Sequence, residues 1–298
     1  LFTSGTVKGE DYVGGLFGSI AGTSNFMSIE HSSSSAIVNG INKVGGLAGY
    51  IDDVSIRVSL FKGEVTGKDS VGGLAGELWG DYGGFSHTYS TGKVSGSANV
   101  GGIVGFTRGS SSIYESYVAG SISGSANVGA IVGNIYDNEL DISGNTTFWD
   151  KDITGQDKAI GYNPNPANTY EGLSSSQFGN SSVFTNAGFS SSIWDFSGST
   201  PKLAWENNTV SHISEAEALE QGYTIIRTAQ DLLDINDGTH NVKNKYILMG
   251  DIDLSGIDWN DKGYDLTVDS GAVFDGNGYK LSLIHICEPT RHLRISYA

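Results

Sequence analysis

The chain has 298 residues, 43 of them glycine, with 38% hydrophobic and only 17% charged residues and a net charge of −16. So few charges argue against long helical bundles and, with this many aromatics, against disorder; so acidic a balance argues against nucleic acid and anionic membrane surfaces as partners. A single cysteine, Cys287, leaves no room for a disulfide framework or a thiolate metal site.

From the start to about residue 145 one block keeps returning. It reads VGGLFG at Val13–Gly18, VGGLAG at Val44–Gly49 and Val71–Gly76, VGGIVG at Val100–Gly105 and VGAIVG at Val128–Gly133. The starts lie 27 to 31 residues apart. That period marks units that cannot bury an apolar face alone and must stack on their neighbours. A prelude of aromatic-x-x-Gly-x-Val/Ile-x-Gly precedes the block at Phe2, Tyr89 and Tyr117, its counterpart Ser59–Gly67 leads to Val71, and a weaker copy stands at Ser32 to Gly40.

Short runs alternating in face and split by glycine read as strands. Such runs could build a sandwich, but a sandwich does not repeat its own sequence. A stack of coils does, so the expected fold is all-β, a parallel β-helix (β-solenoid). Each coil should hold two or three short strands. Val, Leu and Ile should stack on their counterparts, and Tyr and Phe should form a ladder. The glycines should serve corners at positive φ, or close backbone approach.

The repeated block resembles the GLUG motif, a small Gly-Leu-x-Gly repeat of large bacterial surface proteins. These include filamentous-haemagglutinin-like adhesins and the non-catalytic part of some IgA1-type metallopeptidases. The resemblance implies a right-handed β-helix and an extracellular or cell-surface setting. It implies no specific ligand.

Residues 146–205 differ in kind. Asn163-Pro164-Asn165-Pro166 reads as a loop, and Ser174 to Gln177 has capping-box spacing for a short helix. In proteins with these repeats a Trp-Asp segment and a Pro-x-Leu-x-Trp ending close the array. Trp149, Trp194, Phe196 and Trp205 are therefore expected to cover the open end of the stack. An aromatic platform for sugars is the alternative.

Residues 206–281 look like the start of a second β-helical module. Ser214 to Glu217 and Thr228 to Asp231 are capping signals for two short helices. A strand is expected at Tyr223–Arg227, and strand pairs at Lys245–Leu254 and at Phe274–Leu281. This resembles the segment that opens such arrays, which implies a long multi-module parent. Residues 282–298 depart in composition and resemble translated sequencing-adapter read-through at the end of a metagenomic fragment. They are expected to be non-native.

No catalytic or metal site stands out. Asp251-x-Asp253-x-Ser255-Gly256 is half a calcium loop, but Lys262 stands at the twelfth position where a glutamate is needed. The pairs Asp150/Asp152 and Asp265/Asp269 are what any acidic, loop-rich chain offers. No HExxH and no Gly-x-Ser-x-Gly elbow exists, and His31, His87, His212 and His240 have no ligand spacing. No cofactor is expected.

The expected role is a structural stalk and adhesive binding surface of a secreted or surface protein. The alternatives are a carbohydrate-active β-helix enzyme, or the non-catalytic region of a surface metallopeptidase. Host glycans, matrix proteins or other surface proteins are the expected partners, with no membrane span in this chain. The longer insertions, Glu77 to Phe85 and Gly105 to Glu115, put Trp79, Tyr82, Phe85 and Tyr114 forward as loop contacts.

Overall fold

The five repeated blocks lie side by side. In a computed structural model, Val13 pairs in parallel register with Val44, Val44 with Val71, Val71 with Val100 and Val100 with Val128. Residues 1–22, 27–137, 140–143, 145–164, 170–207, 213–235, 245–253, 265–267, 273–279, 281–282 and 294–296 are described. Cys287, the Ser255-Gly256 turn, Asp269, His212, His240 and most of the adapter-like tail lie outside them.

The fold is a β-solenoid of about five turns. One coil holds five short strands rather than two or three. In the first coil they are Phe2–Thr3, Thr6–Lys8, Asp11–Gly14, Phe17–Ala21 and Met27–Glu30. Each position stacks on its equivalents to form five parallel sheets, called here the first to fifth in coil order. Strands of two to five residues are possible because each rung borrows hydrogen-bond partners from the rungs above and below.

The interior is built of like on like. Val7, Val38, Val65 and Val94 form one buried column, and Leu16, Leu47, Leu74, Ile103 and Ile131 another. The expected ring ladder is present too. Tyr89 and Tyr117 stack with centroids 4.8 Å apart and planes 5° from parallel.

The block glycines answer to close approach and not to positive φ. A Cβ on Gly72 would come within 1.9 Å of the Ala75 carbonyl oxygen, closer than any real contact. The left-handed positions fall instead on Tyr12, Lys43, Ser70, Asn99 and Asn127, each one residue before the block valine. A second left-handed column is His31, Val58, His87 and Glu115. Neighbours above and below hold these residues in a region that single L-residues rarely visit. Asparagine tolerates it, and Asn127 Nδ2 donates to Asn99 Oδ1 at 2.8 Å.

The tryptophans expected at the open end divide. Trp149 is fully buried in the last inner position of the first sheet, and its Nε1 donates to the Gln156 carbonyl at 2.8 Å. Trp194, Phe196 and Trp205 lie elsewhere, on the flank. Helices at Ser175–Phe178 and Ser181–Asn186 and a hairpin of Trp194–Asp195 with Lys202–Leu203 form a strap there. It packs on the outward column Leu60, Tyr89, Tyr117 and Phe148 of the first sheet. Phe184 touches Phe148 on the last rung, Trp194 touches Tyr117 and Tyr89, and Trp205 reaches Phe2 on the first. The strap thus runs back along the length of the array.

The capping signals are used as read. Ser174, Ser214 and Thr228 each cap a short helix with a reciprocal box to Gln177, Glu217 and Asp231. Strands Thr224–Ile226, Lys245–Leu248 and Val273–Asp275 pair in parallel. Leu1 of the first coil is buried, with Gly276 against it. Within the adapter-like stretch, Arg294–Ser296 pairs with Asp265–Thr267 and with Ser19–Ile20 of the first coil.

Candidate functional site: an open aromatic flank

Alternation sends every second residue of a strand outward. On the fourth sheet this creates two outward columns. Ser19, Tyr50, Glu77, Phe106, Asn134 and Tyr162 form one, and Ala21, Asp52, Trp79 and Arg108 the other, with Tyr136 just beyond the next strand. Tyr12 and Lys43, from the left-handed corner, lean onto the same flank.

The side chains meet across rungs. Tyr12 and Tyr50 are edge to face at 5.9 Å, Tyr50 and Trp79 lie 6.0 Å apart, and Phe106 and Tyr136 lie 6.1 Å apart. Lys43 Nζ sits over Tyr12 and Tyr50, and the Arg108 guanidinium lies 5.1 Å from the rings of both Trp79 and Tyr136. Tyr12, Tyr136 and Tyr162 are 41%, 60% and 51% exposed. Aromatic faces left open on this scale mark interaction surfaces more often than chance.

The polar groups are tied to the rings. Lys43 Nζ lies 2.7 Å from Glu77 Oε2. Burial alone would lower the Lys43 pKa, but Glu77 and the Tyr12 hydroxyl outweigh it and hold it above the ordinary lysine value. The Tyr50 hydroxyl donates to Asp52 Oδ2 at 3.2 Å. Burial and the Asp52 charge push its own pKa upward, so it stays a neutral hydroxyl. Burial likewise raises Asp52, aided by Asp53 and opposed by the Tyr50 hydrogen bond.

Of the four residues singled out from the sequence, Trp79 stands in the middle of this flank. Tyr82 is 60% exposed in the turn that follows, where Asp53 Oδ1 accepts its backbone N–H at 3.2 Å. Phe85 is 1% exposed, in register between Ile56 and Ile113 inside the core. Tyr114 lies apart, edge to face with His87. Glu77 to Trp79 are strand residues, so the supposed insertion is no more than the turn 80–83.

Tyr12, Lys43, Tyr50, Phe106, Arg108, Tyr136 and Tyr162 escaped the sequence reading. Their signal is positional. Tyr50 and Phe106 stand six residues after a block valine, Trp79 and Tyr136 eight after.

The carboxylate pair Asp150/Asp152 is occupied with local structure. Asp150 Oδ1 accepts from the Asp152 and Ile153 amides and from Ser175 Oγ, and Asp152 Oδ2 accepts from the Ser175 amide. Among the described residues no group of three or more His, Cys, Asp or Glu is placed to hold a metal ion. None of their helices is long and apolar enough to cross a membrane.

No protein-family model matches the chain, and no curated protein sequence does. A crystal structure of a putative immunoglobulin A1 protease from Bacteroides ovatus is similar over 67% of this chain and 75% of its own, at 16% identity and a TM-score of 0.44. A likeness that faint bears on neither the flank nor an activity.

Proposed function

We propose that the chain is a non-catalytic repeat region of a large secreted or cell-surface bacterial protein of the GLUG-repeat type, a stalk that carries a binding flank. The observation that supports this most is the aromatic column left open on an otherwise fully stacked rod. A solenoid extends by adding rungs, so it spaces one thing from another at little cost in new core design. Binding is the chemistry that such a flank offers. Lys43 is paired with Glu77 and Asp52 with the Tyr50 hydroxyl. Of the carboxylates weighed for acid–base work, Asp150 caps the helix Lys151–Thr154 and Asp152 accepts from the Ser175 amide.

The test is retention set against turnover. The purified chain should be held by immobilised glycans or matrix proteins, with no release of reducing ends or peptide fragments. Turnover of any of them would overturn the reading.

A further inference from the structure

Six successive rungs each place one aromatic ring on the open flank or at its edge: Tyr12, Tyr50, Trp79, Phe106, Tyr136 and Tyr162. Rungs are about 4.8 Å apart, so the rings form a track about 24 Å long. We propose that this track binds a neutral, linear glycan lying along the solenoid axis. The inference rests on the binding-surface reading above and names its ligand class.

The spacing is the first argument. One ring per rung repeats at a distance comparable to one pyranose unit of an extended chain. The track is the outward face of a sheet, whereas compact small molecules take concave sites. A sugar presents an apolar C–H face to a ring and a rim of hydroxyls to its sides. Here the rings alternate with groups that serve hydroxyls. Asp52 and Asn134 can accept, and Lys43, Arg108 and Asn134 can donate, while Glu77, 7% exposed, holds Lys43 in place. Tyrosine and tryptophan suit this mixture because each is an apolar plate with a polar edge.

Charge excludes the nearest competitors. The centre of a protein–protein interface is depleted in Lys, Glu and Asp, yet the Lys43–Glu77 pair stands in the middle of this flank and Asp52 lies in register with Trp79. A polyanion would seek Arg108, but acids stand in its column and beside the turn that follows it. Asp52 is in register with Trp79, Asp81 Oδ1 accepts from the Ser110 amide, and Asp137 Oδ2 accepts from the Gly109 amide at 3.0 Å. The chain as a whole carries −16. A neutral chain of hydroxyls meets neither obstacle.

Calorimetric titration of the whole chain tests this. The probes are cellohexaose, xylohexaose and maltohexaose, with polygalacturonate as the acidic comparison. Retention on immobilised fibronectin and collagen is measured in parallel. At least one neutral hexasaccharide should bind, with little change when salt is raised severalfold. Trp79→Ala and Tyr136→Ala should each weaken it by about tenfold or more. Ile37→Ala, on the second sheet and 46% exposed, should leave it unchanged.

Equal thermal midpoints for all three variants exclude misfolding as the cause. Binding of polygalacturonate alone, with steep salt dependence, would overturn the neutral-glycan proposal. So would binding that Trp79→Ala and Tyr136→Ala leave intact. Retention on protein without any sugar binding would sink this inference while the adhesive reading stands. Failure on every surface would sink both.

Discussion

Among the described residues two outward faces of the solenoid carry a column of rings, and one of the two is covered. On the first sheet Leu60, Tyr89, Tyr117 and Phe148 lie under the strap, and Tyr89 and Tyr117 are each 1% exposed. On the fourth sheet Tyr50, Trp79 and Phe106 are half-buried, and Tyr136 is 60% exposed. The rungs beneath are the same. The difference lies in how polar groups are disposed. The covered face is apolar apart from its hydroxyls and Lys62, whose Nζ lies 5.6 Å from the Tyr89 ring, and the strap supplies Glu206 and a carbonyl as their partners. The Tyr89 hydroxyl donates to Glu206 at 2.8 Å, and the Tyr117 hydroxyl donates to the Pro201 carbonyl. The open face mixes rings with ions, which no apolar strap could cover without stranding a charge.

If the covered rings serve stability and the open rings serve binding, substitutions should separate the two. Trp194→Ala should have the largest effect. It removes the side chain wedged against Tyr89, Tyr117 and Phe189, at about 3–5 kcal/mol in denaturant unfolding. A loss below about 1 kcal/mol would mean that the strap is an appendage.

Glu206→Gln comes next, since Glu206 also pairs with Lys62 and accepts from the Leu203 amide at 2.8 Å. We expect a loss of about 1–2 kcal/mol, which shrinks when Lys62→Met is already present.

Third is a pH effect. Burial, with the nearby Glu206 charge, raises the pKa of both Tyr89 and Tyr117 above the ordinary tyrosine value. The unfolded chain therefore gives up these protons first, near pH 10. The contribution of the two hydroxyls is fully present below that pH and lost as pH rises beyond it. Tyr117→Phe should cost about 1 kcal/mol at pH 7 and flatten the decline of stability above pH 10. An unchanged alkaline slope would place these hydroxyls in water.

Smallest is Trp79→Ala, about 1 kcal/mol or less, because it removes a half-buried ring on the outer face with one ring contact to Tyr50 and one cation–π contact to Arg108. A larger loss would show that the open rings hold the fold, and the contrast between the flanks would collapse.

The register of the array was legible because the repeats align themselves. Each valine found its counterpart by sequence alone. The five-strand coil was not legible, since two-residue strands such as Leu60–Phe61 are too short for any alternation to show. The corners were hidden for another reason. They fall on Tyr12, Lys43 and Ser70, residues with no local preference for positive φ, held there by neighbouring rungs. The strap was misplaced because Trp194 and Trp205 announce burial but not against what. Trp79 was legible as a large ring between repeats. Tyr50 and Phe106 were not, because a ring inside a strand reads as core until the outward column is assembled from every copy.

The lengthwise course of the strap has a mechanical consequence. If the array serves as a stalk, tethered at one end and held at the other, it is pulled along its axis, and stacked rungs resist such a pull only through the contacts between successive turns. The strap bridges them, from Phe184 on Phe148 to Trp205 on Phe2. Tension between the first and last turns must peel this splint away before any rung can separate from the next, so the rod should yield late and in a single event.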